Sequence, residues 1–127
     1  MSETTVTLRK ADGTKWKGNK TITKVIIDDD VTEIAEDAFE HCQNLKVVVF
    51  SPNSKLKKIG KGAFYKCTAL EEVDLPDSVE ELKEGDFDCR GAFQYCSSLQ
   101  KVSLGSNLKI IGYSAFDVRS DLRPLRH

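Results

Sequence analysis

The chain of 127 residues is short of most of the groups that carry chemistry: it has 2 histidines, one of them the final residue, 3 prolines, 1 methionine and 1 tryptophan. No Ser/His/Asp or Cys/His arrangement recurs at a fixed place, and no glycine-rich phosphate loop appears, so nothing in the sequence points to an enzyme. No stretch of 18 or more apolar residues is present, and no basic start leads into an apolar core. Neither a transmembrane helix nor an uncleaved signal peptide is therefore expected. With 19 basic against 20 acidic residues the net charge is −1, which leaves no electrostatic footprint for nucleic acid or an anionic membrane. The sequence thus reads as a soluble globular chain of the cytoplasm, or as a mature extracellular or cell-surface chain whose signal peptide was removed.

What is abundant is self-similarity. The unit that starts at Leu56 carries Ile59, Gly60, Ala63, Phe64, Cys67, Leu70, Val73 and Leu75. The same offsets recur in Val31, Ile34, Ala38, Phe39, Cys42, Leu45, Val48 and Phe50. A third copy runs from Val79 and Leu82 to Ala92, Phe93, Cys96, Leu99, Val102 and Leu104. A fourth has Leu108, Ile111, Gly112, Ala115, Phe116, Leu122 and Leu125, with Arg119 where the others have cysteine. The four phenylalanines lie 25, 29 and 23 residues apart, and both irregular intervals have a local cause. The link at 51–55 has two residues more than the three-residue links elsewhere (25 − 2 = 23), and residues 88–93 are six extra (29 − 6 = 23). A period of this size is the mark of stacked supersecondary units, each unable to bury its apolar side alone.

The signature I-G-x-x-A-F-x-x-C-x-x-L-x-x-V-x-L-P resembles BspA-type leucine-rich repeats over roughly residues 22 to 125. The resemblance implies an α/β repeat solenoid, a short leucine-rich repeat array with a parallel sheet of short strands on one face and short helical turns on the other. It also implies a scaffold used for binding, often on surface proteins. Alternation in L-x-x-V-x-L sends Val25 and Ile27, Val48 and Phe50, Val73 and Leu75, Val102 and Leu104 inward. The A-F-x-x-C block is expected to make one or two helical turns, held by burial of Phe and Cys. Residues 22–127 would give about four and a half coils. Residues 1–21 fall outside the repeat: Val6 and Leu8 alternate with polar residues, Asp12-Gly13 is a turn signal, and Trp16 lies on the return. This predicts a hairpin that caps the first coil with Trp16, against the alternative of an exposed tryptophan anchor. Pro124 and Arg123 would blunt a terminal edge strand.

Cys42, Cys67 and Cys96 share one repeated position, which reads as a ladder of buried free thiols and not as a zinc site or a set of bridges. Cys89 lies in the insertion, where a link to Cys96 is conceivable in an oxidising compartment. Asp28-Asp29-Asp30 occupies a turn, and turn chemistry explains it better than calcium, which needs more oxygen ligands. No cofactor is expected. The same alternation directs Lys24 and Ile26, Val47 and Val49, Glu72 and Asp74, Lys101 and Ser103 to solvent. Apolar Ile26, Val47 and Val49 beside acidic Glu72 and Asp74 predict a contact with a protein partner, with Lys101 on the same face. The competing explanation is that β-branched residues simply suit strands. An assembly subunit or adhesion module that docks by its ends or through the 88–93 insertion is the alternative, and the chain would act as a monomer or as part of a larger assembly.

Overall fold

The computed structural model describes residues 3–83, 91–111 and 115–116. Each L-x-x-V-x-L segment, and the V-x-L of residues 6–8 ahead of them, yields a strand of three or four residues, too short to bury its apolar side except against its neighbours. These are β1 (Thr5–Leu8), β2 (Lys24–Ile27), β4 (Val47–Phe50), β6 (Glu72–Asp74) and β8 (Lys101–Ser103), side by side in that order in one sheet. Their pairing is parallel and in the repeat register, with Val25 beside Val48 and Val73 beside Val102. The extended pieces after the turns make a second parallel sheet of β3 (Glu33–Ile34), β5 (Lys58–Ile59), β7 (Glu81–Leu82) and β9 (Ile110–Ile111). The result is a parallel-strand solenoid.

The core is a set of columns. Phe39 stacks on Phe64 at 5.3 Å between centroids, Phe64 on Phe93 at 5.1 Å and Phe93 on Phe116 at 5.3 Å, with rings within 11° of parallel. Beside them run Ala38, Ala63, Ala92 and Ala115, then Cys42, Cys67 and Cys96, all buried. Gly60 answers to the closeness of the coils, since a Cβ there would sit 2.7 Å from the Ile34 carbonyl oxygen.

The helical turns expected of the A-F-x-x-C block do not form; among the described residues there is no helix. Two things prevent it. Asp37, His41, Lys66 and Tyr95 hold φ at 61°, 61°, 59° and 62°, each a left-handed residue that interrupts a right-handed helix at a cost of about 1–2 kcal/mol. The amides also point along the solenoid: Phe39 N donates to Ala63 O (2.7 Å), Phe64 N to Ala92 O (2.8 Å) and Phe93 N to Ala115 O (2.7 Å). Bonds that a helix would close within itself instead join one coil to the next.

The N-terminal hairpin is likewise replaced. β1 runs parallel to β2, with Val6 beside Val25 and Leu8 beside Ile27, so the intervening chain crosses over like every other coil. Trp16, Asn19, Ile22, Val25 and Ile27 keep the spacing of Phe39, Cys42, Leu45, Val48 and Phe50, each 23 residues earlier. Trp16 accordingly heads the aromatic position, half-buried against the core, and its carbonyl accepts the Cys42 thiol at 3.1 Å. In the cysteine position Asn19 Oδ1 accepts the amides of Thr21 (2.8 Å) and Ile22 (3.1 Å), which holds the turn by other means. Cys89, Gly112, Arg119, Leu122, Pro124 and Leu125 lie outside the described residues.

Candidate functional site

The outward positions of the first sheet form rows across the strands. Lys24, Val47, Glu72 and Lys101 make one row, in register from β2 to β8. Ile26 lies beside Val49, and Asp74 beside Ser103, in the next. Val47 and Val49 are 42% and 38% exposed, a level at which a valine side chain gains little from the core. Ile26 is half-buried, while Glu72, Asp74, Lys101 and Ser103 are exposed. All six residues singled out from the alternation therefore lie on one face of neighbouring strands.

That face is not uniform. β2 and β4 share four register pairs, and β6 and β8 three, but β4 and β6 meet only at Val47 and Glu72. Proline is one cause. After β2 and β4 the next amide donates to the preceding coil, Asp28 N to Leu8 O (3.0 Å) and Ser51 N to Ile27 O (3.1 Å). Pro76 occupies the equivalent place after β6 and has no N–H for Phe50. The longer link at 51–55 adds to the divergence, and the seam opens into two grooves. One, of about 400 Å³, is lined by Lys46, Val47, Glu71, Glu72, Asp74 and Lys101 among others. The second, of about 350 Å³, runs beside Phe50, Pro52, Asp74 and Pro76. Asp74 borders both, a position that strand alternation alone could not reveal.

The other candidate groups are occupied structurally. Cys67 and Cys96 donate their thiols to the carbonyls of Phe39 and Phe64, both at 3.2 Å. Burial drives the Cys42 thiol up to about 11 and that of Cys96 up to about 12, and it raises Cys67 as well. Such thiols stay protonated and are poor metal ligands or nucleophiles. The three aspartates divide among partners: Asp28 pairs with Arg9 at 3.3 Å, Asp29 with the Ser51 hydroxyl, and Asp30 accepts the Lys10 amide at 3.3 Å. Among the described residues no group of three or more His, Cys, Asp or Glu side chains is placed to hold a metal ion. His41 is half-buried where Cys42 is buried, and it meets the Tyr65 ring edge-on at 5.8 Å, while Tyr65 meets Tyr95 at 5.6 Å. This aromatic row along the turns went unnoticed in the sequence because its members occupy two different repeat positions.

Residues 15–125 match, in 6 copies, the family described as BspA type leucine rich repeat region. The chain belongs to that family. Its first matched residue adjoins Trp16, so the family's extent includes the degenerate coil as well as the evident ones. No curated protein matches this leucine-rich repeat chain. Among solved structures it is similar to the pneumococcal vaccine antigen PcpA, with TM-score 0.61 and 21% identity over 76% of this chain and 28% of that one. A leucine rich cell surface protein of Faecalibacterium prausnitzii A2-165 aligns at TM-score 0.49 and 23% identity, over 90% of this chain and 45% of that one. A T. pallidum leucine rich repeat protein aligns at TM-score 0.42 and 17% identity, over 87% and 66%. The leucine-rich repeat array thus spans less than half the length of the first two, and the likeness to PcpA is one of fold. The family that matches is a repeat family, and it indicates no enzymatic activity. No helix among the described residues is long and apolar enough to cross a membrane.

Proposed function

We propose that this leucine-rich repeat chain is a non-enzymatic binding module that presents its exposed strand face to a protein partner. The observation that carries the reading is the pair Val47 and Val49, two exposed apolar side chains on one strand, with Val47 at the lip of the seam groove. Exposed apolar groups next to a groove mark contact surfaces. Ile26 extends the apolar area, Glu72 and Asp74 favour basic groups on the partner, and Lys101 flanks them. The cytoplasmic expectation draws no support from the family's neighbours, and the extracellular alternative is the reading consistent with them.

Replacing Val47 and Val49 together by lysine tests the face. The side chains are exposed, so folding stability should change by less than about 1 kcal/mol. Affinity for a partner should fall by roughly tenfold or more, mostly through faster dissociation, because an unpaired ammonium would be buried in the contact. Quantitative binding of wild type, the double variant and a Lys55→Glu control checks this. Equal affinity for all three removes the face from consideration, and loss of fold would show that the inward and outward assignments are reversed.

A further inference from the structure

We propose that β1 pairs antiparallel with β1 of a second copy of this chain, about a two-fold axis at Val6, joining two solenoids end to end. The inference is independent of the strand-face reading and concerns the opposite feature of the sheet, its edge. β1 is the first strand in the sheet order, and among the described residues it pairs with β2 alone. The Thr4 carbonyl accepts from Thr23 N (2.9 Å) and the Leu8 carbonyl from Asp28 N (3.0 Å), so the even-numbered residues turn their polar backbone groups toward β2. Successive residues of a strand alternate in this direction, which leaves the N–H and C=O of Thr5 and Thr7 facing away from the sheet.

Such an edge is ordinarily blunted by lysine, proline or a bulge. Thr5-Val6-Thr7-Leu8 has none of these and consists of residues that favour strands. What the second copy adds is a match in charge and in face. With Val6 on the axis, Thr5 lies opposite Thr7 of the second copy and Glu3 opposite its Arg9, since each pair sums to the same 12. A shift by two in either direction keeps the outward backbone groups in phase but sets both charges opposite threonines or beyond the strand. Thr4, Val6 and Leu8 then fall on the core face in both copies, and Thr5 and Thr7 on the outer face. Arg9 is exposed and pairs with Asp28 at 3.3 Å through one guanidinium nitrogen, and a guanidinium carries five N–H donors, enough for a second carboxylate as well. A two-fold contact uses the same strand twice and closes on itself, so assembly stops at two.

Light scattering and sedimentation of the 127-residue chain, kept reduced and diluted over a wide concentration range, test the proposal. A monomer–dimer equilibrium is expected. Thr7→Pro removes an outward N–H without touching the β1–β2 bonds, so it should give a monomer with an unchanged circular dichroism spectrum. Arg9→Glu sets like charges opposite each other and should weaken the dimer roughly tenfold. Glu3→Arg combined with Arg9→Glu should restore it, and this swap decides the matter even if the proline variant fails to fold. A chain monomeric at every concentration overturns the proposal. So does a dimer indifferent to the single charge reversal, which would place the contact elsewhere, or one that the double swap does not restore.

Discussion

At the scale of the residue, the cysteine position is a hydrogen-bond donor as much as a filler. Each thiol in the ladder reaches the carbonyl of the aromatic residue one coil earlier, in the order Cys42 to Trp16, Cys67 to Phe39 and Cys96 to Phe64. Because burial lifts these thiols to about 11 for Cys42 and about 12 for Cys96, the folded chain keeps protons that an unfolded thiol loses from about pH 8.5. Below that pH both states are protonated and the contribution is whole. Above it the unfolded state is increasingly favoured, so stability should fall between about pH 8.5 and 12, each thiol adding a slope of at most about 1.4 kcal/mol per pH unit. Comparing denaturant midpoints of wild type and Cys96→Ala over that range checks this, and the variant should show the shallower decline. Seven offsets repeated three times made the ladder legible in the sequence. Trp16 and Asn19 were not, because an indole and an amide replace the ring and the thiol while doing similar work through different atoms.

At the scale of the element, hydrophobic period placed the strands but could not say what the turns would be. Propensity is silent on non-glycine residues at positive φ, and Asp37, His41, Lys66 and Tyr95 take that conformation in a turn where the amides of Asp37, His41 and Lys66 themselves reach the next coil, at the carbonyls of Lys61, Tyr65 and Gln94. The β4–β6 seam was hidden for a related reason, since a proline just past a strand matters only once the partner carbonyl is known. The buried alanine column also bears on the insertion. Deleting residues 88–93 restores the 23-residue period, but it puts Asp86 where Ala38, Ala63 and Ala92 are fully buried. An unpaired carboxylate there is costly. The deletion alone should therefore lower the melting temperature sharply, and the deletion combined with Asp86→Ala should recover most of the loss.

At the scale of the whole molecule, stability is a sum over coils and the surfaces between them. Phe64 lies mid-column with a ring on either side, so Phe64→Ala opens a cavity that two neighbouring coils line. The cost should be about 3–5 kcal/mol, a large part of what a domain this size has, and a thermal melt should show it as a drop of many degrees. A shift of only a degree or two would mean that the column does not hold the array together. The bonds between coils run along the solenoid axis, and this has a mechanical consequence. A load pulling the ends apart along that axis meets them one interface at a time, so coils would peel off in succession and not shear together. Each released coil of 23 residues could pay out a tether of roughly 80 Å at about 3.5 Å per residue, yielding by stages under tension.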